Sequence, residues 1–87
     1  MSYEVILTSA ALNDLESIDS KNRTRILKKI EWFSENFGAL VPQPLTADLS
    51  GLFKLRVGNY RVIYSFDAAI SVISIQRVGH RKDVYDN

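Results

Sequence analysis

The chain has 87 residues, 46% hydrophobic and 24% charged, which is the composition of a folded domain and not of a disordered or collagen-like polymer. It holds no cysteine, which excludes disulfides, thiolate metal sites and cysteine nucleophiles, and no run nears the ~20 apolar residues of a membrane span. The net charge of +1 conceals an asymmetry: residues 1–50 carry five Lys/Arg against seven Asp/Glu, and residues 51–87 carry six against three.

Residues 3–7 read as a short β-strand, after which Thr8 or Ser9 offers an N-cap for a helix with Ala11, Leu12, Leu15 and Ile18 as its apolar stripe. Asp19 or Ser20 caps a second helix, where Ile26, Ile30, Phe33 and Phe37 share one face and Gly38 stands at the C′ position. Pro42 and Pro44 remove backbone donors, so residues 39–50 are expected to be a connecting loop. The period then changes to two: residues 53–57, 60–66 and 70–77 alternate apolar and polar side chains, with Gly58-Asn59 and Asp67-Ala68-Ala69 as turns. The result is an α+β chain of order βααβββ, a small, largely antiparallel sheet with two N-terminal helices on one face. A chain this short buries only roughly 60 to 65% of its unfolded surface, so one core and a single domain over residues 1–87 are expected. The opening MSYEVILTS shows no basic stretch ahead of a long apolar one, and a cytoplasmic location is the expectation.

A two-residue loop at Gly58-Asn59 sets Val57 opposite Tyr60, Arg56 opposite Arg61 and Lys54 opposite Ile63. Lys54, Arg56 and Arg61 then share one face of the sheet, while Leu55, Val57, Tyr60, Val62 and Tyr64 turn to the helices. Carried through the next turn, the same pairing places Arg61 beside Gln76 and Ile63 beside Ser74 on an open, cationic face. Like charges directly opposite destabilise a strand pair, so Arg56 opposite Arg61 points to an anion that compensates. For any one of these cations the plainer reading is a solvated surface residue; their convergence favours a binding site. A second basic cluster follows in the tail, RVGHRKDVY (77–85), where Arg77, His80, Arg81 and Lys82 surround Gly79, and Tyr85 adds an aromatic ring four residues after Arg81. Cations with a stacking aromatic suit single-stranded nucleic acid.

The stretches GLFKLRVGNYRVIY (51–64) and RVGHRKDVY (77–85) resemble the two signature regions of the RelE branch of the RelE/ParE toxin superfamily, and the βααβββ order agrees. The resemblance implies the toxin of a type II toxin–antitoxin system, a ribosome-dependent endoribonuclease that cleaves mRNA in the A site of the small subunit and inhibits translation. It also implies a cognate antitoxin partner, through which the complex binds operator DNA. On this sequence the family's site falls on Lys54, Arg56, Arg61, Arg81 and Tyr85, flanked by Gln76, Arg77 and Lys82 as RNA contacts. Arg56 stands where a lysine is often found, His80 directly precedes Arg81, and the chain ends two residues after Tyr85.

No cofactor is expected, and no metal, because the three acidic residues of the basic half do not share a strand-face position with its cations. Metal-free cleavage deprotonates the ribose 2′-OH, stabilises the phosphate and protonates the departing 5′-oxygen, leaving a 2′,3′-cyclic phosphate. Arg61 is expected to meet the scissile phosphate, with Lys54 and Arg56 holding it or its neighbour. Tyr85 is the base that the resemblance suggests, and nearby cations would favour its phenolate; His80 is the rival, its plainer reading a surface histidine at a turn.

On the second helix Arg25, Lys28 and Lys29 project from the apolar stripe together with Trp32. The patch is read either as an RNA or antitoxin contact or as lysine stems covering a packed indole. The competing functions are a ParE-like inhibitor of DNA gyrase and an RNA-binding module without catalysis.

Overall fold

The computed structural model describes residues 2–45 and 51–80. Strand β1 (Glu4–Leu7) leads through Thr8 into α1 (Ser9–Glu16), and a short corner at Ser17 and Ile18 leads into α2 (Ser20–Asn36). Thr8 caps α1 by accepting the Ala11 N–H at 3.1 Å, and Asp19 caps α2 by accepting the Asn22 N–H at 3.2 Å. Leu12 is not part of the buried stripe. At 48% exposure it faces outward, because the seam of this two-turn helix runs through Ala11, Leu15 and, just beyond it, Ile18.

The end of α2 also differs from expectation. Gly38 does not form a left-handed cap; it lies inside a 3-10 turn, Phe37–Ala39, closed by the Leu40 N–H on the Phe37 carbonyl at 3.1 Å. The tighter turn keeps Phe37 in the core, 4% exposed. Residues 39–50 are not wholly loop either, since Gln43–Pro44 forms a two-residue edge strand, β2. Proline is tolerated at a sheet edge.

Strands β3 (Phe53–Val57), β4 (Tyr60–Asp67) and β5 (Val72–His80) follow. The sheet order is β1-β5-β4-β3-β2, parallel between β1 and β5 and antiparallel elsewhere. The β3–β4 register is the one the sequence predicts, with Val57↔Tyr60, Arg56↔Arg61 and Lys54↔Ile63. Gly58 supplies the positive φ of 60° that the two-residue loop demands.

The β4–β5 register is not the predicted one. The connecting turn is longer, with Ser71 at φ 54° and Asp67 Oδ1 accepting the Ala69 N–H, so β5 starts at Val72 and not at residue 70. An irregularity between Ile63 and Tyr64 then shifts the pairing by one more residue, which gives Ile63↔Arg77 and Arg61↔Gly79. Gln76 and Ser74 therefore do not lie beside Arg61 and Ile63; Gln76 instead donates to Ser65 Oγ at 3.1 Å.

The helices cover one sheet face. Ala11, Leu15, Ile18, Ile26, Ile30, Phe33 and Phe37 pack on Val57, Val62, Tyr64, Ile73, Ile75 and Val78. Tyr64 is enclosed by the rings of Phe33, Phe37 and Phe53. Burial pushes its phenol up to about 12, so it stays protonated at neutral pH and serves as a core ring.

Candidate nucleic-acid interface

The β3–β4 hairpin places Arg56 and Arg61 directly opposite each other on the face away from the helices, with Lys54 two residues along β3. This face is not uniformly open. Arg56 is exposed and Lys54 half-buried, but Arg61 retains only 7% of its surface and its neighbour Ile63 only 4%. Arg61 sits on the middle strand between Arg56 of β3 and Gly79 of β5, so the position on its β5 side has no side chain.

The structure does not bring His80 to this cluster. His80 pairs with Tyr60, its ring edge-on at 5.6 Å, at the sheet end under the α1–α2 corner. There, Asp14, Ser17, Asp19, Tyr60, Arg77 and His80 line a groove of about 470 Å³. Arg77 is engaged as well: its Nε and Nη2 donate to Asp14 Oδ2 and Oδ1 at 2.8 and 3.1 Å. Hydrogen bonding from Arg77, joined by the Val78 amide, holds the Asp14 carboxyl below its usual range against a partial desolvation, and the carboxylate in turn raises Arg77. Asp14 lies in the acidic half of the chain, and its contact with Arg77 spans 63 residues, so composition by halves does not join it to the basic cluster. The candidate residues Arg81, Lys82 and Tyr85 lie outside the described residues.

On the other side of the hairpin, Arg25, Lys28, Lys29 and Trp32 of α2 meet Arg56, Val57 and Gly58 around a groove of about 410 Å³. The patch that the sequence shows on α2 is thus continuous with the hairpin cations through Arg56. Gly58 makes the junction possible: a Cβ there would stand 2.9 Å from Arg25 Nη1, so the guanidinium lies against bare backbone. Lys29 Nζ is 4.1 Å from the Trp32 ring centroid, and the indole is 44% exposed. Among the described residues no carboxylate pairs with Arg25, Lys28, Lys29 or Arg56, and no group of three His, Asp or Glu could hold a metal ion. Also among the described residues, no helix is long and apolar enough to cross a membrane.

Residues 5–85 match the family of ParE toxins of type II toxin–antitoxin systems. The chain is 36% identical to Toxin RelG of Mycobacterium tuberculosis, with 98% of each protein covered. Its fold is similar to that of the toxin–antitoxin complex RelBE2 of Mycobacterium tuberculosis, at TM-score 0.82 and 29% identity, covering 93% of this chain and 100% of the other. It is also similar to the RelE–RelB complex of Pyrococcus horikoshii, at TM-score 0.73 and 26% identity, covering 97% and 100%. A cationic hairpin on a helix-backed sheet, in a chain with these relatives, belongs to a type II toxin of the RelE/ParE superfamily.

Proposed function

We propose that this toxin is a metal-independent endoribonuclease that cleaves mRNA in the ribosomal A site and so arrests translation. The observation that carries the reading is Arg61, a nearly buried guanidinium at the centre of a cationic sheet face, in a fold shared with RelE toxins. In this reading Arg61 holds the scissile phosphate, and Lys54 and Arg56 hold it or the adjoining one. The ribose 2′-oxygen attacks the neighbouring phosphorus as it loses its proton, the P–O5′ bond breaks, and the 5′-oxygen takes up a proton. The products are a 2′,3′-cyclic phosphate and a 5′-hydroxyl. Arg81 and Tyr85 complete the site from the tail. Of the two candidate bases, His80 is turned to Tyr60 on the helix side, which favours Tyr85.

The α2 groove, with Arg25, Lys28 and Lys29, extends the RNA contact away from the reacting phosphate, and in the same reading Gln76 and Lys82 are further RNA contacts. Residues 1–87 act as one domain in the cytoplasm. As in the toxin–antitoxin complexes it resembles, the toxin is held by a cognate antitoxin; in this reading the pair contacts operator DNA through that antitoxin. The match to ParE toxins favours a second reading, inhibition of DNA gyrase.

Purified toxin added to ribosomes carrying a defined mRNA, and separately to a gyrase supercoiling assay, divides these readings. The ribonuclease reading expects a cut within the A-site codon that is lost in Tyr85→Phe and no effect on supercoiling. Intact mRNA with blocked supercoiling would establish the gyrase reading, and RNA binding without cleavage would leave a binding module.

A further inference from the structure

We propose that Asp14 is a positioning residue for the RNA-cleaving face: it holds the last residues of β5 in the shifted register that sets Gly79, and no side chain, beside Arg61. The proposal rests on the ribonuclease reading for its catalytic consequence, and on geometry alone for the register.

Strand β1 supports β5 only from Glu4↔Val72 to Leu7↔Ile75. Beyond Ile75 this edge of β5 has no strand partner among the described residues, and side chains of the α1 region take over the ladder. The Thr8 hydroxyl donates to the Gln76 carbonyl at 3.0 Å, and Asp14 Oδ2 accepts the Val78 N–H at 2.9 Å. Asp14 grips Arg77 with the same carboxylate, so one side chain fixes both the backbone and the side chain of consecutive residues. A carboxylate that accepts a backbone N–H and a guanidinium fork is strongly directional.

The register held in this way is not the one the turn alone would give. From Asp67↔Val72 to Tyr64↔Ile75 the pairing is regular, and regular continuation would set Arg61 opposite Val78 and Tyr60 opposite Gly79. A slip of one residue moves every side chain to the opposite face. In the regular register Val78 would leave the core, where it is 3% exposed, and would crowd Arg61. The irregularity at Ile63/Tyr64 instead returns Val78 to the core and presents Gly79 to Arg61. Burial of Val78 and the Asp14 clip favour the same register, so loss of the clip loosens the end of β5 without unfolding the sheet.

The test compares Asp14→Ala and Asp14→Asn in the whole chain by two readouts: amide hydrogen exchange along β5, and single-turnover mRNA cleavage at saturating ribosomes. Asp14→Ala is expected to speed exchange at Val78, Gly79 and His80 while Ile73 and Ile75 stay protected. It is also expected to slow cleavage roughly 10- to 100-fold, as misplacement of a phosphate-binding group does, without weakening ribosome binding. Asp14→Asn keeps an oxygen for the Val78 N–H and is expected to recover part of both losses; it also serves if the alanine variant fails to fold. Exchange and cleavage at wild-type levels in both variants would overturn the proposal. Exchange raised uniformly over the sheet would reduce Asp14 to a stability contact and overturn it too. Wild-type protein that leaves mRNA uncut would overturn the ribonuclease reading and the catalytic consequence, while the exchange pattern still decides the register.

Discussion

The two grooves beside the β3–β4 hairpin use the same residue type in opposite ways. Under the α1–α2 corner, Arg77, itself largely exposed, meets the half-buried Asp14 carboxylate, which neutralises its charge. Against α2, Arg25, Lys28, Lys29 and Arg56 line one groove with no carboxylate among the described residues to offset them. A basic residue in this small protein is therefore informative only with its partners counted: Arg77 is tied to Asp14, and in the proposed reading the α2 cations keep their charge for a polyanion.

The largest expected effect falls on the unneutralised side. Replacing Arg25, Lys28 and Lys29 together by Gln should weaken RNA binding roughly 10- to 100-fold at low salt and flatten the dependence of log K on log salt by about 2 to 3. Filter binding across a salt series reads both, and folding stability should move by less than about 0.5 kcal/mol. An unchanged slope would mean that these cations do not face RNA.

On the neutralised side the effect moves from binding to stability. Asp14→Ala should cost about 1.5–3 kcal/mol in a denaturant titration, the range for hydrogen bonds involving charged groups. Because the folded Asp14 carboxyl lies below its ordinary value, its contribution is present above that value and lost as pH falls through the folded one. The acid limb of wild-type stability should therefore be steeper than that of Asp14→Asn, and identical limbs would contradict the ion pair. The smallest change is expected where the grooves approach each other. Gly58→Ala should cost about 1 kcal/mol for the left-handed backbone alone and displace the Arg25 guanidinium, without touching the Asp14 clip.

What the sequence made legible follows the range of the interactions involved. The hairpin register, and with it Arg56 opposite Arg61, could be read because a two-residue Gly58-Asn59 loop leaves one pairing available. The β4–β5 register could not, since Ser71 in a left-handed conformation and a shift between Ile63 and Tyr64 leave no mark on an alternating pattern. For that reason alternation alone sets Gln76 beside Arg61, where the fold sets Gly79. Asp14 belongs to the acidic half by composition and joins the basic half only through the fold. Gly38 resembled a helix stop, but the chain continues through a 3-10 turn that buries Phe37.

The central proposal is that Arg61, buried on the cationic sheet face, holds the phosphate that reacts. Its most direct test is the single-turnover cleavage rate of ribosome-bound mRNA by wild type and Arg61→Ala, with the 3′ ends of the products identified chemically. The account predicts a 2′,3′-cyclic phosphate from wild type and a rate roughly 10²- to 10³-fold lower for a variant that is folded and still binds ribosomes. Cleavage at the wild-type rate by folded Arg61→Ala would contradict it.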